Sequence, residues 1–264
     1  MDLGGWAMDF GYEGKAVVIT GSSKGIGRQT ALEMLKLGAK VMLVARGEDD
    51  LRTAKEELGQ YGEVGYVVQD VTGDDAGERI VNAVIEKFGR LDVLINNAGG
   101  AFAETFEDVE VDDWQNDLDL KLISAVKMSK AALPHLKKKG GAILNLTAVA
   151  GKNPGAGTLP TSVSRSAGLA MTKAMSKDLG QYGIRVNAVC IGLIRSDQVE
   201  KMWKEEAPEL TWEEFATKDR DDIPLGRVGE TEEAANVITF LCSELASYIT
   251  GVAVNIDGGA SASL

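Results

Sequence analysis

The first residues able to do chemistry form a glycine turn, Thr20-Gly21-Ser22-Ser23-Lys24-Gly25-Ile26-Gly27, set between the apolar run 16–20 and a helix-like stretch. Glycines at a strand-to-helix turn let the backbone come close to a diphosphate, and the next helix offers N–H groups without intrahelical partners. The spacing is G-x-x-x-G-x-G, and its place directly behind a Val/Ile strand makes it a nucleotide signal rather than a packing turn. Arg46 follows the second apolar run. A basic residue there meets a ribose 2′-phosphate, whereas an acidic one would meet the 2′-hydroxyl. Lys24 is placed to add to the same phosphate. Asp70-Val71 closes the third run and Asn96-Asn97-Ala98-Gly99 the fourth. All four ends are expected on one carboxyl edge, where ligands bind in open α/β sheets.

Those ends require strands and helices to position them. Apolar runs fall at 16–20, 40–45, 64–68, 91–95, 142–147, 184–190 and 252–256. They are nearly continuous in Val, Ile and Leu, as strands buried on both faces of a parallel sheet are. Helix-like stretches separate them, most clearly 75–88, where Ile80, Val81, Val84, Ile85 and Phe88 recur at helical spacing. The alternation predicts a single α/β domain over 1–264, a doubly wound parallel sheet with helices on both faces. One compositional break, the acidic stretch 196–228, carries Met202, Trp203, Trp212 and Phe215. It predicts either a helical flap over a substrate or a helical hairpin with its apolar stripe packed on the core.

The 264 residues include 28 Lys+Arg against 40 Asp+Glu, a net charge of −12. That sign repels phosphate backbones and anionic lipid, so neither nucleic acid nor a membrane is an expected partner. No run approaches the ~20 apolar residues of a membrane span. The acidic first ten residues do not read as a signal peptide, and a cytoplasmic location is expected. Two cysteines, Cys190 and Cys242, are too few for a disulfide framework, and one histidine, His135, excludes a multi-His metal site. His135 stands near a helix end before Lys137-Lys138-Lys139 and is read as a capping cation. Cys190 is read as a buried core cysteine.

TGSSKGIG, Asp70-Val71, NNAG, IRVNAV and TGVAVNIDGG occur in this order, and together they resemble the short-chain dehydrogenase/reductase family over nearly the whole chain. The resemblance is strongest to the 3-oxoacyl-carrier-protein reductase branch. It implies a Rossmann-type sheet of seven strands, NAD(P)(H) binding and a homotetramer or homodimer acting on a small molecule. Carried over, it implies that Gly21, Gly25, Ile26 and Gly27 cradle the pyrophosphate. Asp70 and Val71 would meet the adenine, Asn97 and Gly99 would flank the ribose, and Ser196 would stand where a Thr often holds the nicotinamide amide. Ser23, Ala98, Gly192 and Ile194 complete the expected cofactor contacts. Lys24 with Arg46 points to NADP(H) over NAD(H).

The same resemblance exposes a departure. The family's catalytic Asn, Ser, Tyr and Lys are matched here by Lys121, Ala148, Thr161 and Arg165, and its Pro-Gly after the sixth strand by Ile191-Gly192. An aliphatic hydroxyl is a far weaker acid than a phenol, so Thr161 cannot replace the tyrosine directly. Arg165 can donate to ribose hydroxyls but cannot relay protons. If Lys121 and Arg165 share a desolvated pocket, burial and like charge lower the ammonium pKa. Lys121 then becomes a general acid, with Thr147 or Thr161 polarising the substrate oxygen. The alternative leaves Lys121 solvated and Arg165 paired with Asp117 or Asp119. Three functions follow: an NADP(H)-dependent oxidoreductase on a carbonyl or secondary alcohol, bulky and apolar if the tryptophans of 196–228 close over it; an inactive NADP(H)-binding pseudoenzyme, sensor or scaffold; or a different reaction on an anionic group.

Overall fold

The computed structural model describes residues 8–100 and 102–263, the side chain of Gln198 excepted. The N-terminal stretch read for a signal peptide falls largely outside these residues. Among the described residues there are nine strands: β1 Ala16–Thr20, β2 Lys40–Ala45, β3 Val64–Val68, β4 Val93–Asn96, β5 Ala103–Glu104, β6 Gly141–Ala148, β7 Leu159–Pro160, β8 Ile184–Ile191 and β9 Ala253–Ile256. The helices are α1 Gly25–Lys36, α2 Glu48–Leu58, α3 Ala76–Phe88, α4 Val111–Leu118, α5 Ser124–Leu136, α6 Thr161–Leu179, α7 Asp197–Glu206, α8 Trp212–Thr217 and α9 Thr231–Cys242.

Seven strands form one sheet in the order β3-β2-β1-β4-β6-β8-β9, every pair parallel. This is a single Rossmann-type α/β domain, as the alternation of apolar runs predicts. The side-chain period of two sends alternate residues to opposite faces. Val17, Ile19, Val41 and Leu43 pack with Met34 and Leu35 of α1 and Ile238 of α9. Ala16, Val18, Met42 and Val44 pack with Ile80 and Val84 of α3 and Met128 of α5. Both faces are buried, so the runs show no polar alternation. β5 and β7, too short for a sequence signal, pair antiparallel outside this sheet.

Stretch 196–228 begins at the carboxyl end of β8 and contains α7 and α8. Its apolar residues form a cluster of their own, in which Val199, Trp212, Phe215 and Val228 are buried and Met202 and Trp203 pack alongside. Trp203 and Trp212 meet edge-on at 5.6 Å, and Arg195 stacks 4.3 Å from the Trp212 ring. The two tryptophans therefore pack on each other within this cluster. Separate packing predicts separate loss. Trp212→Ala should expose 196–228 to limited proteolysis while changing the melting temperature of the main sheet by only a few degrees, as calorimetry would show.

Candidate active site

The glycine turn is clamped from beneath. Thr20 Oγ1 accepts from the backbone N–H groups of Asn97 and Ala98, each at 3.0 Å. Asn97 Nδ2 donates in return to the carbonyls of Thr20 at 2.9 Å and Gly21 at 2.8 Å. The Asn97 amide hydrogens are thus engaged with the turn. Ser22 ties the turn to β2, its Oγ accepting from the Val44 N–H at 2.9 Å. A Cβ on Gly27 would stand 2.5 Å from the Gly21 oxygen and 2.6 Å from Asn97 Nδ2, so only glycine fits. Gly25 differs: its φ of +56° favours glycine, and a Cβ there would meet nothing within 4 Å. No side chain among the described residues caps the N-terminus of α1. Open backbone beside an uncapped helix start fits a dinucleotide diphosphate.

The adjoining cleft, about 400 Å³, is lined by Gly21, Ser23, Lys24, Arg46, Asp70, Val71, Ala98 and Gly99 among others. The structure brings these residues, singled out in the sequence, to one cleft. The Asp70 carboxylate accepts from the Thr72 N–H at 2.9 Å and hydroxyl at 2.8 Å, which holds it below the usual carboxylate range. Lys24 pairs with Asp50 at 2.9 Å, a partner missed in the sequence although Asp50 follows Arg46 by one helical turn. Ser196 caps α7, accepting from the Val199 N–H at 3.3 Å, and lines a neighbouring cavity with Lys24 and Gly25 rather than this cleft. Ile194 is buried and lines a different cavity with Leu225 and Gly258. Gly192 admits the close approach of Asp257, whose Cβ would lie 2.6 Å from a Cβ at 192.

The residues matched to the family's catalytic positions also converge. The helix running from α4 into α5 passes through a π-helical turn, Asp119–Ile123, that carries Lys121. The Lys121 side chain is 1% exposed and the Asp117 side chain 4%. Lys121 Nζ donates both to Asp117 Oδ1 and to Thr161 Oγ1, and Ser164 Oγ donates to Asp117 Oδ2 at 2.5 Å. Burial lowers the Lys121 pKa and the Arg165 guanidinium lowers it further, while the bond to Asp117 opposes both. Lys121 is therefore not a solvated helix residue. Arg165, 9% exposed, donates to the Leu146 carbonyl at 2.6 Å, and its Nε has no partner among the described residues. Its Nη2 stands 2.9 Å from where a Gly99 Cβ would be, which aims the guanidinium at the cofactor side of the pocket. Asp117 acts on it through space only.

Thr147 is corrected. Its hydroxyl is buried, donates to the Val189 carbonyl at 2.9 Å and lies 3.3 Å from Cys190 Sγ, so β6 turns it into β8 and away from a substrate. Ala148 ends β6 without a hydroxyl. Cys190 is a core residue, its thiol pushed up by burial. His135 stands in the last turn of α5, where burial and Lys138 push its imidazole down. Ser164 was the neighbour sequence reasoning left out; Asp117, read as a partner for Arg165, pairs instead with Lys121 four residues on, the spacing that pairs charges on a helix.

Similarity to known proteins agrees with this geometry. A family model described as enoyl-(acyl carrier protein) reductase matches residues 21–261. The chain is 35% identical to 3-oxoacyl-acyl-carrier-protein reductase of Thermotoga maritima over 249 residues, 94% of this chain and 98% of that protein. L-sorbose reductase of Gluconobacter frateurii, solved with NADPH and L-sorbose, superposes with a TM-score of 0.92 at 33% identity, covering 97% of this chain and 100% of that one. A short-chain oxidoreductase of Pseudomonas aeruginosa PAO1, described as containing an atypical catalytic center, gives 0.91 at 31% identity, covering 95% and 98%. The chain belongs to the short-chain dehydrogenase/reductase family and is an oxidoreductase of that family's type. Among the described residues, no helix is long and apolar enough to cross a membrane. The Gly27 contacts predict that Gly27→Ala weakens dinucleotide binding by about tenfold or more, measured by protein fluorescence, with the circular dichroism spectrum unchanged.

Proposed function

We propose that this chain is an NADP(H)-dependent oxidoreductase acting on a carbonyl or secondary alcohol, with Lys121 as the proton source and Thr161 as the hydroxyl facing the substrate. The observation that carries the reading is the hydrogen bond from buried Lys121 Nζ to Thr161 Oγ1 at the first residue of α6. Gly21, Gly25, Ile26 and Gly27 would hold the diphosphate, Arg46 and Lys24 a 2′-phosphate, and Arg165 the ribose beside Gly99. When bound, the cofactor supplies or accepts the hydride.

The chain's own residues handle the proton. In reduction, the Thr161 O–H donates to the carbonyl oxygen as negative charge develops there. Thr161 is too weak an acid to be left ionised, so Lys121 must deliver a proton to Oγ1 as the threonine proton leaves. Burial and Arg165 make the ammonium a readier donor, and Asp117 aims it. Asp117 in turn is steadied by Ser164. The Pseudomonas relative, called a short-chain oxidoreductase despite an atypical centre, supports activity with altered residues.

The surroundings extend the reading. Asp197, at the start of 196–228, lines the nucleotide cleft and supports a flap that shapes the cofactor side. Phe240, Leu245, Tyr248 and Val252 are exposed near edge strand β9, which supports a homo-oligomer. The acidic composition supports a cytoplasmic enzyme without nucleic-acid or membrane partners.

A second reading, a nucleotide-binding protein without turnover, is favoured by the near-complete shielding of Lys121 and its pairing with Asp117. Lys121→Met separates the two. The oxidoreductase reading expects loss of about 10²-fold or more in kcat for carbonyl reduction, with NADPH affinity within about twofold of the parent. Hydride transfer retained in Lys121→Met would refute the assignment, and no turnover by the parent across a broad carbonyl panel would favour the second reading. The donor must be protonated. Reduction should therefore fall as pH rises through a Lys121 pKa that burial sets below the ordinary lysine value, and oxidation should rise over the same range.

A further inference from the structure

We propose that Asp50 sets how strongly this chain prefers a dinucleotide bearing a 2′-phosphate, because it holds Lys24 in an ion pair that the phosphate has to displace. The proposal rests on the nucleotide reading above and adds a specificity determinant to it.

The cleft is less basic than Lys24 and Arg46 alone imply. Asp50, Asp70 and Asp197 line it as well, three carboxylates against two cations. Asp70 is already bound by Thr72. Asp50 is the carboxylate that reaches a cation: its Oδ2 lies 2.9 Å from Lys24 Nζ, and the two side chains are 48% and 52% exposed. Exposure leaves both able to re-pair and keeps the bond weak. The position matters because Arg46 leaves β2 where the ribose edge is read, and Asp50 sits in the first turn of α2 directly beyond it. A 2′-phosphate arriving there meets Arg46, a lysine already neutralised, and an opposing carboxylate. An unphosphorylated ribose brings no charge for that carboxylate to oppose.

Asp49 supplies a matched control. It is the adjacent residue in the same first helical turn, but it pairs with Arg52 at 2.7 Å and is absent from the cleft lining. Asp49→Asn and Asp50→Asn therefore change net charge and helix-end charge equally, and only the second changes the cleft.

The full chain should be titrated with NADPH and with NADH by calorimetry, as parent, Asp50→Asn, Asp50→Ser and Asp49→Asn, each checked for an unchanged melting temperature. Both Asp50 variants are expected to bind NADPH about two- to fivefold tighter, the size of an exposed ion-pair term, with NADH within about 1.5-fold of the parent. Asp49→Asn should move neither, and the NADPH gain should shrink at high salt. Unchanged or weaker NADPH binding in both Asp50 variants, an equal gain for both dinucleotides, or the same gain in Asp49→Asn overturns the role of Asp50 while leaving the nucleotide site standing. A parent that gives no heat with either dinucleotide overturns the nucleotide reading itself.

Discussion

The site depends on one reciprocal set of hydrogen bonds, between Thr20 at the end of β1 and Asn97 just beyond β4. β1 and β4 are neighbours at the centre of the sheet, yet they lie far apart in sequence. Their exits would otherwise be two independent loops with unsatisfied backbone groups, costly where partly buried. The Thr20 hydroxyl and the Asn97 amide satisfy those groups against each other. They fix the glycine turn at a height where Gly27 just clears it and Gly25 looks into open space. The NNAG segment is thus first a support for the nucleotide turn.

A second constraint governs the chemistry beside it. Burying an ammonium is expensive unless a carboxylate and further hydrogen bonds accompany it. Lys121 has both, through Asp117 and Thr161, and Asp117 has Ser164 as well. Arg165 does not join the pair but turns to the Leu146 carbonyl and Gly99. Two cations and one carboxylate are consequently sorted apart, with Lys121 facing Asp117 and Thr161, and Arg165 facing Gly99.

Much of this was legible in the sequence. The seven apolar runs became the seven strands of the sheet because strands buried on both faces carry no polar alternation to confuse the signal. The glycine turn was legible because backbone geometry there tolerates few residue types. Side-chain direction was not. Thr147 and Thr161 look alike in sequence, yet β6 aims one into β8 while α6 presents the other to Lys121. The tryptophans of 196–228 were visible as an apolar stripe, but which surface the stripe covers is settled only by how α7 and α8 fold back on each other. Asp50 stayed hidden because an acidic first helical turn is ordinarily explained by the helix dipole alone.

The π-helical turn at Asp119–Ile123 carries a consequence for how this pocket tolerates change. It accommodates one residue more per turn than an α-helix does. Deleting one residue there would leave 111–136 able to run as a single regular rod, and because the turn already absorbs that residue, the segments on either side would keep nearly their present phase. Met128 and Leu136 would stay seated in the core and Asp117 in the pocket, whereas a residue added or removed elsewhere in the stretch would turn one of these surfaces away by about 100°. The turn is therefore where this stretch has slack, and a single deletion should be better tolerated there than within either flanking helix.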